Sequence, residues 1–212
     1  MDSGGAAKDR SAVRKFFIAA SVAAAALHIS SALIAGFKTP DYSQAQRAIS
    51  DLGRAGRPYA FLVNYFGIAA PGLLILISAL IAGKVLPSSK ILKCGLVLMA
   101  AAGVSLIIAG FYPFPLPEHL LSALFGELLA ACAIFSLSLV LKGGGSLSAL
   151  AAFGIIISLF DLADAAIWVL AQGAHIRVHP LLGLEQRVAS FSAFIWFGFF
   201  AAFAGRRPFK RG

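Results

Sequence analysis

Six apolar runs, each about as long as a bilayer is thick, constrain this 212-residue chain more than any other feature. They are Phe16–Phe37, Ala60–Ala82, Cys94–Tyr112, Leu120–Leu141, Leu147–Leu170 and Val188–Ala204. A helix crossing the hydrocarbon core needs about 20 mostly apolar residues. Six such helices need about 120 residues, which is roughly the 59% of the chain that is hydrophobic. Little length is left for a soluble domain. The runs are too long for barrel strands and lack their alternation of apolar and polar residues. The expected fold is therefore all-α: a polytopic membrane bundle of six transmembrane helices over residues 16–212, preceded by a disordered basic tail over 1–15.

Charged residues make up 13% of the chain, against about 25% in soluble domains. This excludes a soluble globular protein, and the same hydropathy excludes disorder. Two cysteines, Cys94 and Cys132, cannot make a disulfide framework. The first apolar run has 22 residues, longer than the 7–15 of a cleaved signal segment, so it is expected to stay as a span.

The basic residues set an expected orientation. Twelve Lys and Arg fall on the side of the two termini and six on the other. Cytoplasmic loops carry the excess, so both termini are expected in the cytoplasm of a cell-membrane protein. The net charge of +9 is then topology plus contact with anionic lipid heads, with membrane lipids as partners and no nucleic acid. Tyr42, Tyr59, Tyr65 and Tyr112 fall near span ends on the far side, as an interfacial belt would.

The connections on that far side are the richer ones. In the loop 38–59, Tyr42, Ala45, Ile49 and Leu52 recur on one helical face. Asp41 would be its N-cap and Gly53 would follow its end, giving a short amphipathic helix lying on the membrane surface. Pro71-Gly72 in the second span predicts a kink. Gly154 and Ser158 allow close helix approach, within the bundle or at a dimer face.

Ionisable groups inside a bilayer are costly and usually face a cavity or a partner. Glu127 lies roughly 10 Å into the fourth span, and Asp164 and Asp161 roughly 9 and 14 Å into the fifth, at 1.5 Å per residue. All three sit in the half of the membrane away from the termini; His28 is near mid-depth and Asn64 four residues into its span. These positions predict a polar pocket facing outward, lined by spans two, four and five and roofed by the loops. The plainer alternative is that the acids are protonated, or pair with Arg187 or Asn64, and only hold helices together. His175 and His179 are four apart, and with His119 and a carboxylate they have the donor types of a metal site. Pro180 and the absence of an intervening glutamate weigh against it, so no cofactor is firmly implied.

Ile49-Ser-Asp-Leu-Gly53, Arg57-Pro58 and Asn64, Gly110-Phe-Tyr-Pro113 with His119, and Gly183-Leu-Glu-Gln-Arg187 together resemble the six-span membrane family catalogued as domain of unknown function 998. At Phe114-Pro115-Leu116 the chain lacks an acidic residue that this family often carries. The resemblance implies the same six-span fold and brings no activity. Its motif residues Ser50, Asp51, Asn64, His119 and Arg187 fall on the side of the predicted pocket. The expected ligand-binding set is therefore Ser50, Asp51, Asn64, Glu127, Asp161, Asp164 and Arg187. Three functions remain open. The pocket binds or transports a lipid, an amphiphile or a cation. Alternatively, His119 or His179 is the general base of an enzyme acting on a lipid headgroup, with a carboxylate (Glu127, Asp161 or Asp164) orienting it or sharing a metal. Alternatively, the chain is an assembly subunit that pairs with itself or with another membrane protein.

Overall fold

A computed structural model describes residues 3–86, 89–141, 145–173 and 181–206. The elements are α1 (Ser3–Lys38), the single turn α2 (Ile49–Leu52), a π-helical stretch Leu62–Ala69 that runs on into α3 (Ala70–Val85), α4 (Lys90–Phe111), α5 (Pro117–Val140), α6 (Ser146–Gly173) and α7 (Leu182–Arg206). Six of these helices, counting the π stretch with α3, are long and apolar enough to cross a membrane. The chain is an all-helical, multi-pass membrane protein, and no strand occurs among the described residues.

The long helices pack in chain order, α1 on α3, α3 on α4, α4 on α5, α5 on α6 and α6 on α7, and α7 closes the ring against α1. Short connections force this order, because each helix must return beside the one before it. The half of the bundle near the two termini is here called proximal, and the half near the 39–61 and 112–116 loops distal.

Lipid tails are as apolar as leucine, so burial gives no drive between membrane helices, and close packing must supply it. The seams show how. A Cβ on Gly72 would lie 2.7 Å from the Gly103 carbonyl oxygen, and one on Gly103 would lie 2.7 Å from that of Gly72. Backbone thus meets backbone between α3 and α4. Gly154 touches Ser138 and the Trp196 indole, and Ser158 is fully buried. That small-residue stripe packs α5, α6 and α7 together inside the bundle and is not a dimer face. The proximal core gathers around Trp196, Phe17, Phe200 and Leu137. Trp196 stacks on Phe200 at 5.3 Å between ring centres and donates its indole N–H to the Leu150 carbonyl at 2.8 Å.

Several expectations need correction. The helix α1 begins at Ser3, so the described part of the 1–15 tail is helical. Extending an existing helix needs no new nucleus, and Ala6, Ala7, Lys8 and Arg10 are good helix formers. The last helix starts at Leu182, six residues before the apolar run, because 182–187 wind its first turns. The surface helix predicted in the long loop is only one turn. All four of its residues are buried, so it is tucked into the bundle rather than lying on the membrane. Tyr42 is also buried, whereas Tyr65 and Tyr112 stay exposed.

Candidate functional site

Two prolines prepare the distal half. Pro71 has no N–H to give to the Gly67 carbonyl four residues earlier, where an α-helix would aim one. The chain meets this position in π-helical geometry, and His28 Nδ1 on α1 lies 2.7 Å from the Gly67 oxygen. Pro113 likewise cannot serve the Ala109 carbonyl at the end of α4. His119 Nδ1 on α5 lies 2.8 Å from that oxygen and 2.8 Å from the Tyr112 oxygen. A carbonyl only accepts, so in both histidines the proton is on Nδ1. In a neutral imidazole Nε2 is then a bare acceptor.

A clasp holds the loops. Arg187 is buried at the start of α7. Its guanidinium donates to the Gln44 side-chain oxygen and to the backbone carbonyls of Gln44, Arg47 and Gly183, at 2.6–3.1 Å. It also donates to the Tyr42 hydroxyl at 2.7 Å. Gly183 is required here, since a Cβ would strike the Arg47 and Gln44 carbonyls. Burial holds the Tyr42 phenol above its ordinary value, and the neighbouring Arg187 only partly offsets this. Gln186 accepts from the Ile49 N–H at 2.6 Å, capping α2 from another helix. Asn64 donates to the Gly53 carbonyl at 2.8 Å. Asp51 pairs with Arg54 and Arg57 at 3.1 Å each and with Arg47 at 3.8 Å.

Behind the clasp, on the bundle axis, is a cavity of about 150 Å³. Helix α5 lines it with His119, Gly126 and Glu127, α7 with Gln186, Ser190 and Phe194, α1 with His28, and α6 with Asp161. Ile49 and Ser50 of α2 also face it. Most of the remaining lining is alanine, leucine and isoleucine, and none of the lining residues is Lys or Arg. The wall therefore draws on every long helix and rests mainly on α5 and α7. The expectation of spans two, four and five missed α1, α4 and α7, and α3 with its π stretch gives only Ile68.

Buried polar atoms nearly always have hydrogen-bond partners. Four in this wall have none within the protein: His28 Nε2, Glu127 Oε1, Asp161 Oδ1 and Ser190 Oγ. His28 is 6% exposed and Asp161 2%, so lipid and bulk water do not serve them. The ring of His28 is stacked by Phe194 at 4.3 Å and met edge-on by Phe191 at 5.7 Å. Asp164 adjoins the cavity as a hydrogen-bonding neighbour of Glu127.

Of the residues expected from the sequence, Ser50, His119, Glu127 and Asp161 share the cavity wall. Asp164 stands beside it. Asp51, Asn64 and Arg187 do not line it and build the clasp instead. The pairing of the acids with Arg187 is corrected, because that guanidinium is engaged elsewhere by five hydrogen bonds. His175 and His179 lie outside the described residues. Among the described residues, no group of three His, Cys, Asp or Glu is arranged to hold a metal ion. Sequence reasoning did not place His28, Ser190 and Gln186 in the site. The two prolines were the available signal, since each one announces a carbonyl that needs an outside donor.

A family model described as protein of unknown function (DUF998) matches residues 22–202. The chain belongs to that family. It matches no curated protein and no solved structure.

Proposed function

We propose that this protein binds a cationic, ammonium-bearing ligand in its distal cavity. The observation that carries the reading is the set of four polar atoms without partners in one otherwise apolar wall. Three of them, two carboxyl oxygens and an imidazole nitrogen, accept hydrogen bonds. The wall carries two carboxyl groups and no Lys or Arg. A complementary guest brings N–H donors and positive charge at one end and little other polarity. An alkylammonium has three donors, a unit charge and an apolar substituent. The ring of Phe194 in the wall favours the same guest, because aromatic faces attract cations.

The excess of basic residues at the terminal side supports a cytoplasmic location for both termini. The cavity then belongs to the half of the membrane that faces away from the cytoplasm, and the guest would arrive from that side. The lipid-modifying alternative has less support, because the His119 Nδ1–H goes to two backbone carbonyls rather than to a carboxylate that would orient the ring as a base.

The test is binding of butylammonium, with butanol as the neutral control, to the full chain in nanodiscs. Butylammonium is expected to bind saturably and butanol not to bind. A hydrogen bond to a charged group contributes about 1.5–3 kcal/mol. Asp161→Asn is therefore expected to weaken butylammonium about 10–100-fold without lowering thermal stability. Equal binding of the two probes, or an Asp161→Asn variant that binds like the parent, overturns the proposal.

A further inference from the structure

A second cavity, of about 60 Å³, lies against the first. Its own walls are Ile75, Met99, Ala102, Ala133, Ile134 and Phe197, and every residue lining it is apolar. The two cavities share Leu106, Ala130, Ala193 and Phe194. The partition between them is thus one layer of side chains, two of which are alanines. Phe194 is the Phe ring that stacks on His28, so one residue is wall to the polar cavity and to the apolar one.

The order along the helices gives this pair a direction. On α4, Ala109 lines the first cavity and Met99 the second, a descent of about 15 Å at 1.5 Å per residue. On α7, Gln186 lines the first and Phe197 the second, a descent of about 16 Å. Together they form a slot along the bundle axis, polar and acidic at its distal end and wholly apolar towards the bundle centre. Elsewhere the helices meet backbone to backbone, as at Gly72 and Gly103. At Ala102, Ala130, Ala133 and Ala193 the side chains facing the slot are short, and leucines there would close it.

From this geometry we infer that the ligand is a single-chain amphiphile: an ammonium head held in the distal cavity and one alkyl chain lying through the Leu106–Phe194 partition into the second cavity. The inference rests on the ammonium-binding reading above and extends it to the rest of the ligand. A polyamine does not fit, since a second charge would enter a wall with no polar side chain. A two-chain lipid does not fit a partition that is one side chain thick. The chain would run parallel to the helices, as a lipid tail does in that half of the membrane, so an amphiphile keeps its orientation on binding.

The experiment compares butylammonium with octylammonium on the full chain in nanodiscs, with affinities referred to the free aqueous amine. Four further methylenes, fully buried, favour the longer amine by up to about 200-fold. The parent protein is expected to prefer octylammonium by at least tenfold, on the order of what partial burial of those methylenes gives. Ala133→Leu fills the second cavity and leaves the first untouched. It is expected to abolish that preference while butylammonium binds as in the parent; Ala102→Val reports the same effect if Ala133→Leu does not fold. Met99→Ala lengthens the slot and is expected to move the preference towards decylammonium. An octylammonium preference that survives both filling variants puts the chain elsewhere and overturns this inference, while the ammonium site stands. Failure of butylammonium to bind the parent overturns the ammonium site and this inference with it.

Discussion

The two halves of the bundle are held by different means. The proximal half is a packed apolar core in which Trp196, Phe17 and Phe200 are fully buried. Its polar groups are few, and most serve a neighbouring backbone or hydroxyl, as Ser21 does at the Phe17 carbonyl and the Ser78 hydroxyl. The distal half carries the acids within the spans, Pro113, the buried His119 and the buried Arg187. Within it the polar groups divide again. Those of the clasp are joined by many hydrogen bonds, with only Gln44 Nε2 and Asn64 Oδ1 left over, and four in the cavity wall have no partner within the protein. A membrane protein can use polarity to fix loops or to await a guest, and on the proposed reading the two uses sit side by side here.

The largest effect is expected where packing alone acts. Trp196→Ala deletes a fully buried ring and should cost about 3–5 kcal/mol, read as reversible unfolding in mixed micelles. If the loss is under about 1 kcal/mol, far below that range, the proximal core is not the seat of stability. Next comes the clasp. Arg187→Ala leaves several carbonyls of the loop without donors and should cost about 2–4 kcal/mol. Proteolysis within residues 39–61 should become faster, because Tyr42 and Gln44 lose their anchor on α7. An unchanged cleavage rate would show that Gln186 and Asn64 suffice to hold the loop.

Asp161→Asn should separate the two uses of polarity. Neutralising a buried group that lacks a partner is close to neutral or stabilising, so the melting temperature should hold or rise while ammonium binding falls. A variant that unfolds instead would return Asp161 to a structural role. Smaller still is Asp51→Asn, which removes ion pairs whose arginines are partly exposed. Its cost should stay below about 1 kcal/mol and shrink further in high salt. The smallest effect concerns pH. Burial raises the Tyr42 phenol from its ordinary value of 10.0, which favours the neutral form in the folded state. That contribution is intact below pH 10 and is lost as pH rises through the raised folded value. An alkaline decline in stability should therefore weaken in Tyr42→Phe, and a decline of equal depth in both proteins would assign it to other groups.

Parts of this could be foreseen residue by residue. Counting along the spans puts Glu127 and Asp161 in one half of the membrane, and they share a wall. Arg187 could not be assigned from counting: a lone cation at a helix start reads as a partner for nearby acids. It faces the loop because Gly183, one turn earlier, admits the Gln44 and Arg47 carbonyls. Counting places His28 near mid-depth and says nothing of its partner. Only the meeting of α1 with the Gly67 carbonyl gives it a proton position and a bare nitrogen. The surface helix was misjudged because the face of Tyr42, Ile49 and Leu52 fits a lipid surface and a protein groove equally well, and here the groove lies between α1, the π stretch and α7.

Sequence alone establishes a six-span membrane bundle, because span length and hydropathy are local sums that need no knowledge of neighbours. It also determined where along the axis each polar group lies, since helical rise is fixed. Tertiary structure alone decided which groups face one another. That depends on the rotation of each helix about its own axis, set by glycine contacts such as Gly72 on Gly103 and by carbonyls that Pro71 and Pro113 leave for donors on other helices. Which polar atoms of the clasp and of the cavity wall find partners follows from those rotations, because whether a polar atom has a partner is a property of two helices at once.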